Sequence, residues 1–109
     1  MTEARVVLTT TGNRDEAEKI ATALVEAELA ACVNIVGPIR SIYRWEGKLE
    51  NAEEFLLVVK TWGSAYEDVE AKIRELHSYE LPECIALRVE KGSEEYLDWI
   101  EGAVRAEED

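Results

Sequence analysis

The 109-residue chain carries 24 acidic and 12 basic residues, a formal net charge of −12, and 47% of its residues are hydrophobic. The acidic balance argues against a compact nucleic-acid-binding domain, which presents a basic face, and the apolar fraction excludes an intrinsically disordered chain. No apolar run reaches the ~18 residues of a membrane-spanning helix. The two cysteines are too few for a disulfide-rich domain. The length predicts a single domain over residues 1–109.

The first half of the chain predicts a strand, a helix and a long second strand. The apolar run at residues 6–8 predicts the first strand. Asn13 and Glu16 form a capping-box-like start for the helix, and apolar residues at helical spacing follow them. The segment CVNIVGPIRSIYRW, residues 32–45, predicts a strand with a bulge or bend at Gly37-Pro38.

The second half predicts two further strands and two helices. A turn around Gly47 leads to the strand EEFLLVVKTW, and Ser64 with Glu67 matches the S-x-x-E capping box of a second helix. The segment CIALRV, residues 84–89, predicts the fourth strand, and a last short helix begins near Ser93. The resulting order, β-α-β-β-α-β plus a C-terminal helix, predicts an α+β ferredoxin-like fold with both crossover helices on one face of the sheet.

The apolar residues of the strands predict self-association. Residues 55–59 are apolar in succession, so their side chains point to both faces of the sheet. The helices cover only one face, and a second copy of the chain is expected to cover the other in a closed homo-oligomer. The two long central strands are expected to project as a hairpin that reaches a neighbour. The alternative is a monomer with an unusually apolar exposed sheet.

Three motifs in chain order closely resemble the CutA divalent-cation tolerance family, and the likeness extends over residues 7–100. They are ACVNI after the first helix, IYRWEGK at the hairpin and HSYELPE before the last strand. The resemblance implies a ferredoxin-like subunit in a PII-like homotrimer that binds copper or other divalent ions. It implies a response to metal ions, with no catalytic reaction and no obligatory cofactor.

Ser78 departs from the family pattern, which usually has a proline at this position. Proline fixes the backbone φ angle and removes a hydrogen-bond donor, so its loss is expected to loosen the turn after the helix. A side-chain-to-backbone hydrogen bond from Ser78 is expected to restore part of that rigidity.

His77, Glu80 and Glu83 are the candidate metal ligands. His77 and Glu80 lie three residues apart at a helix end, so both point the same way if the turn continues. Imidazole and carboxylate together suit copper, zinc or nickel, and copper binds most tightly. These ligands are too few for a closed site, so we expect a site shared between subunits. The alternative is that His77 only caps the helix carbonyl groups.

A second candidate site is a cleft beside the hairpin. Tyr43 and Trp45 occupy alternate positions and therefore lie on one face of the hairpin. We expect them to form a cleft wall, with Glu53 and Lys60 as polar groups and Tyr79 as a further ligand-binding residue. The alternative is that the aromatic rings pack against a neighbouring subunit. Lys60 would also suit an anionic metabolite, which gives the alternative function of a PII-like small-ligand sensor.

Cys32 and Cys84 open strands that occupy opposite edges of a ferredoxin-like sheet, ~14 Å apart at the usual strand spacing. A disulfide needs Cα atoms within ~7 Å, so no bridge within the chain is expected. The two residues are predicted to be small buried hydrophobes, and the alternative is a thiolate site for a soft metal.

The remaining expectations concern activity and location. The segment MTEARVVL lacks the features of a signal peptide, which predicts a cytoplasmic protein without membrane or nucleic-acid partners. A single histidine and the lack of hydrolase or phosphate-binding motifs argue against an enzyme. Frequent Glu and Arg with no Gln favour a heat-adapted, thermostable protein.

Overall fold

The computed structural model describes residues 2–104, which form one four-stranded antiparallel sheet and three α-helices. The predicted β-α-β-β-α-β order and the C-terminal helix are confirmed. A short 3-10 helix, Gly63–Ala65, precedes the second α-helix. The elements in chain order are β1 Ala4–Thr11, α1 Arg14–Glu26, β2 Cys32–Trp45, β3 Lys48–Trp62, α2 Tyr66–Leu76, β4 Ile85–Arg88 and α3 Glu94–Ala103.

The helices cover one face of the sheet, whose strand order is β2-β3-β1-β4. On the covered face Val7 pairs with Val59, and the neighbouring position on β3 is Leu57. All three side chains are fully buried. The helical side of this core consists of Ala17, Ile20, Ala21 and Leu24 from α1, Val69 and Ile73 from α2, and Ile100 from α3.

The other face of the sheet is also apolar, as the run at residues 55–59 predicts. The register pairs Leu8 with Val58 on one side and with Ile85 on the other, which places the three side chains on the same face. Ile85 is 50% exposed in the single chain. The apolar residues of this uncovered face, which we call the open face, are Val6, Leu8, Val36, Leu56, Val58, Ile85 and Leu87.

The β2–β3 hairpin is the longest feature of the molecule, whose extents are 43 × 26 × 22 Å. The predicted bulge is confirmed, because the register shifts between Val36 and Ile39. The turn is tighter than the sequence indicated, since only Glu46 and Gly47 separate the two strands. Both residues have positive φ angles, 52° and 82°, a conformation that matches the twist of a two-residue hairpin and that glycine adopts without strain.

One of the two predicted helix caps is confirmed. The Asn13 side chain accepts a hydrogen bond from the backbone N–H of Glu16 at 2.8 Å and caps α1. The predicted cap at Ser64 is wrong, because Ser64 lies inside the 3-10 helix and α2 follows Ala65 without a side-chain cap. The backbone N–H of Tyr66 already donates to the carbonyl of Gly63, so the 3-10 turn satisfies a donor that the serine would otherwise bind.

Cys32 and Cys84 are both free, as expected from the prediction that no disulfide joins them. Cys32 begins β2 at one edge of the sheet, and Cys84 precedes β4 at the opposite edge. Within residues 2–104, the helices lack the length and apolar character needed to cross a membrane.

Candidate ligand-binding cleft

His77 ends α2 and begins the segment 77–84, which leads to β4. Its side chain is fully buried. Nε2 lies 2.6 Å from the carbonyl oxygen of Thr10, and Nδ1 accepts the backbone N–H of Tyr79 at 3.1 Å. A carbonyl only accepts hydrogen bonds, so Nε2 carries the proton. Both ring nitrogens are engaged, and a metal ion at either one would have to displace a hydrogen bond.

Glu16 of α1 joins the helix to the segment 77–84. Its Oε2 accepts the backbone N–H of Ser78 at 2.6 Å, and its Oε1 accepts the Ser78 hydroxyl at 2.9 Å. The expectation of a side-chain-to-backbone bond from Ser78 is therefore corrected, since the hydroxyl donates to a carboxylate. A proline at this position would lack both donors, so serine attaches the segment to α1 in a way that proline does not allow.

Tyr79 connects the segment to the hairpin. Its ring packs against His77 with centroids 4.7 Å apart, and its hydroxyl donates to Oε2 of Glu54 at 2.7 Å. The other carboxylate oxygen of Glu54 accepts the Ser41 hydroxyl at 2.6 Å. Burial, and next the bond to Glu54, raise the pKa of the Tyr79 phenol. A Cβ atom at Gly12 would lie 3.2 Å from the Tyr79 hydroxyl oxygen, so glycine leaves room for this ring.

Tyr79 and Glu54 form part of the wall of a cleft of about 400 Å³. The end of β1, the hairpin and the segment 77–84 surround it. Aromatic rings and carboxylates make up most of its lining, and within residues 2–104 neither a lysine nor an arginine lines it. The lining residues are Thr10, Tyr43, Trp45, Glu54, Tyr79, Glu80, Leu81 and Glu83.

Comparison with known proteins decides the family. A family model described as CutA1 divalent ion tolerance protein matches residues 5–103. The chain belongs to the CutA1 family. The relation predicted from the three motifs is confirmed over nearly the whole described chain.

Individual CutA relatives agree with this assignment. The divalent-cation tolerance protein CutA of Thermus thermophilus is 47% identical over 95 residues, which are 87% of this chain and 92% of that protein. Its solved structure has a TM-score of 0.92 at 44% identity and covers 94% of this chain and 99% of that one. A CutA structure from Archaeoglobus fulgidus, described as periplasmic, has a TM-score of 0.91 at 42% identity and covers 94% and 99% of the two chains.

A plant member is longer than this chain. The chloroplastic protein CutA of Arabidopsis thaliana is 43% identical over 100 residues, which are 92% of this chain but 55% of that protein. The chain therefore spans about half the length of this relative.

The structure brings together only part of the predicted cleft. Tyr43, Trp45 and Tyr79 line it. Glu53 does not, because it is the residue next to Glu54 on β3 and its side chain therefore points to the other face of the sheet. Lys60 lies six residues beyond Glu54 along β3, about 20 Å at ~3.3 Å per residue, and its ammonium group donates to Asn34. In a single chain the cleft thus contains neither of its two predicted polar groups.

The predicted metal ligands also divide. Glu80 and Glu83 line the cleft, whereas His77 is buried behind Tyr79 and hydrogen-bonded at both nitrogens. Among residues 2–104 no three His, Cys, Asp or Glu side chains are grouped closely enough to hold a metal ion. A site built from one chain is therefore incomplete, and the three residues remain a prediction for the assembled protein.

The roles of Glu54 and Ser41 and the contact of Glu16 with Ser78 were not predicted from the sequence. Glu54 has a readable signal, because it falls two residues before Leu56, on the same face of β3. The bond from Ser41 to Glu54 crosses the hairpin and depends on its register, and the bond of Glu16 to Ser78 joins residues 62 positions apart, so local patterns indicate neither contact.

Cys84 lies away from the cleft and beside Tyr66. Their Sγ and hydroxyl oxygen are 3.6 Å apart. Burial raises the pKa of the Cys84 thiol, which disfavours the thiolate that a soft metal needs. Burial also raises the pKa of Tyr66 to about 12, with a further contribution from the hydrogen bond to Cys84. These surroundings support the prediction that Cys84 is a packing residue.

Proposed function

We propose that the protein contributes to divalent-cation tolerance as a homotrimer that binds copper or another divalent ion without turning over a substrate. One juxtaposition carries this proposal: a cleft lined by carboxylates lies on the same side of the sheet as the uncovered apolar face. One chain offers too few grouped ligands among its described residues. Association through the open face would bring the carboxylates of different copies together and complete the coordination.

Glu80 and Glu83 are the proposed direct ligands. Both line the cleft and lie on the segment 77–84. His77 holds this segment against β1 through its bond to the Thr10 carbonyl, so its proposed role in this conformation is to position the carboxylates. Copper is the proposed preferred ion because Cu(II) is the tightest-binding divalent ion of the first transition row at most nitrogen and oxygen sites.

Calorimetric titration of chelator-treated protein with a copper(II) salt tests this function. The wild type is expected to bind saturably, and the double variant Glu80→Gln/Glu83→Gln is expected to bind at least about tenfold more weakly, about 1.4 kcal/mol. A matched control, Glu18→Gln/Glu67→Gln, removes the same charge at exposed helix positions. If both double variants weaken copper binding equally, the net negative charge of the protein attracts the ion and Glu80 and Glu83 do not form a specific site. No saturable heat in the wild type would remove the proposal.

The PII-like sensor of an anionic metabolite is not favoured by the cleft as observed. Its lining contains Glu54, Glu80 and Glu83 and, in the part of the chain that the structure describes, neither lysine nor arginine. Lys60, the group expected to attract an anion, lies about 20 Å from Glu54 along the strand. The carboxylates would repel an anion, so the proposed ligand of this cleft is a cation.

The proposed location is the cytoplasm. The two free cysteines suit a reducing compartment. Two of the relatives named above are described as chloroplastic and periplasmic, so other locations are the alternatives to the cytoplasm. Fractionation of the source cells, with a cytosolic enzyme and a membrane protein as markers, tests the location.

The proposed thermostability follows from composition. Charged residues make up 33% of the chain and glutamine is absent, a pattern that accompanies surface ion-pair networks and few thermolabile side chains. A melting temperature above about 90 °C, the usual mark of a hyperstable domain, is the expected result in calorimetry. A transition in the mesophilic range, about 45–65 °C, would contradict it.

A further inference from the structure

The cleft combines aromatic rings with carboxylates, and a small metal ion needs only the carboxylates. Its aromatic rings are Tyr43, Trp45 and Tyr79, and its charged groups are carboxylates. Trp45 is 45% exposed in the single chain, so within one subunit its indole ring faces the open cleft. Aromatic faces attract cations through their quadrupole, and carboxylates attract cations through their charge. Both kinds of group therefore favour a positively charged ligand.

Glu54 places a nearly buried negative charge at the cleft. It is 8% exposed, and its two recorded partners, Ser41 and Tyr79, are neutral hydroxyl donors. Among the described residues no ion pair to this carboxylate is found. A carboxylate has about four acceptor sites, so two remain. A buried charge without a counter-ion is costly, and a cationic ligand would offset that cost.

The carboxylates are arranged for a broad cation. No three of them converge as metal ligands within residues 2–104, and the cleft volume of about 400 Å³ lies in the range of small-molecule pockets, ~300–1,000 Å³. A hydrated metal ion needs oxygen ligands in place of its water, which aromatic faces do not supply. An alkylammonium ion is weakly hydrated and presents methyl groups that pack on aromatic rings.

We propose that this cleft binds an organic cation of the alkylammonium class, with Trp45 and Tyr43 against its methyl groups and Glu54, Glu80 and Glu83 supplying the countercharge. The site shares Glu80 and Glu83 with the proposed metal site, but its binding does not require a metal. Organic and metal cations are therefore expected to compete for the cleft.

Titration with tetramethylammonium chloride, in the presence of a chelator and at constant ionic strength, tests this inference on the full chain. Saturable binding by calorimetry is expected, together with a change in tryptophan fluorescence. The neutral counterpart tert-butanol has similar size and shape but no charge, and it is expected not to saturate. Equal behaviour of the two compounds would overturn the inference without the need for any variant.

A pair of tryptophan variants locates the site. Trp45→Leu is expected to weaken tetramethylammonium binding at least about tenfold. The control Trp99→Leu removes a ring of similar exposure, 49%, on α3 and is expected to change binding less than about twofold. Circular dichroism and sedimentation confirm that each variant folds and assembles. Unchanged binding in Trp45→Leu, or equal losses in both variants, would contradict the assignment.

The outcome separates this inference from the proposed function. Copper binding without tetramethylammonium binding would remove the organic-cation site and leave the metal site. A side chain of a second copy that occupies the cleft in the assembly would have the same effect. Tetramethylammonium binding without copper binding would support the organic-cation site and remove the metal site.

Discussion

Glu54 shows how a single carboxylate organises the cleft. It lies on β3, accepts one hydroxyl from β2 and one from the segment 77–84, and is nearly buried between them. The bond from Tyr79 thereby fixes the segment that carries Glu80 and Glu83. A hydrogen bond to a charged group stabilises a protein by about 1.5–3 kcal/mol, compared with about 0.5–1.5 kcal/mol for a neutral one.

Tyr79→Phe tests this bond. The variant keeps the ring on His77 but removes the donor to Glu54, and the free energy of unfolding is expected to fall by about 1–2 kcal/mol because the site is partly open to water. Denaturant unfolding measures the change. Tyr96→Phe, on the exposed side of α3, is the control and is expected to change stability by less than about 0.5 kcal/mol. Equal effects would show that the Tyr79 hydroxyl contributes nothing specific.

Tyr66 gives a prediction at high pH. Its folded-state pKa is raised from 10.0 to about 12, so the folded protein holds this proton more tightly than the unfolded chain does. Its contribution to stability is therefore complete below pH 10 and is lost as the pH rises through about 12. We expect the wild type to lose more stability across this interval than Tyr66→Phe, in denaturant unfolding at matched pH values. Parallel curves for the two proteins would contradict the prediction.

At the scale of elements, the bulge in β2 determines which side chains reach the cleft. Before the bulge Val33 and Ile35 face the helices with Val59 and Leu57. The register then moves from Val36 opposite Leu56 to Ile39 opposite Glu54, so β2 gains one residue on β3. This extra residue transfers the odd-numbered positions of β2 to the open side.

The register shift separates the features of the cleft that the sequence predicts from those that it does not. The strands, helices and bulge follow from periodicity and turn residues, and so does the shared face of Tyr43 and Trp45. That Tyr43 and Trp45 share the face of Glu54, and not that of Glu53, depends on the register across the bulge, which neither strand encodes alone. The contact between Glu16 and Ser78 joins residues 62 positions apart, and local patterns carry no information about it.

The cap of α1 gives a prediction at this scale. Asn13→Ala removes the acceptor of the Glu16 backbone N–H and is expected to lower the free energy of unfolding by about 1 kcal/mol. The control Thr22→Ala, at an exposed position inside the same helix, is expected to raise it by a few tenths of a kcal/mol, because alanine is the better helix former. Thermal unfolding of both variants measures the difference. Losses of similar size in both would show that the cap is not what stabilises the helix start.

At the scale of the whole molecule, the sheet is apolar on both faces but its helices cover only one. A contiguous exposed apolar surface that spans neighbouring strands is unusual for a soluble monomer. The hairpin extends the same sheet beyond the helices and exposes Ile42 and Leu49, which are available for a neighbouring copy. We infer that copies of the chain cover each other's open faces, and that this association also completes the cation site.

A charge placed on the open face is expected to separate the copies. Leu87 is 50% exposed in the single chain, so Leu87→Glu is tolerated by the isolated subunit but buries a charge in the assembly, at a cost of several kcal/mol. The control Val25→Glu changes an apolar residue of similar exposure, 42%, on α1. Size-exclusion chromatography is expected to show dissociation of the first variant only, with unchanged circular dichroism. Intact assembly of Leu87→Glu would place the contact elsewhere.

Sedimentation equilibrium of the wild-type protein tests the central claim most directly, because it measures mass without reference to shape. A single species with three times the mass of one chain is expected over the whole working concentration range. A stable species with the mass of one chain at those concentrations would contradict it, since an apolar sheet face would then persist in water without a partner.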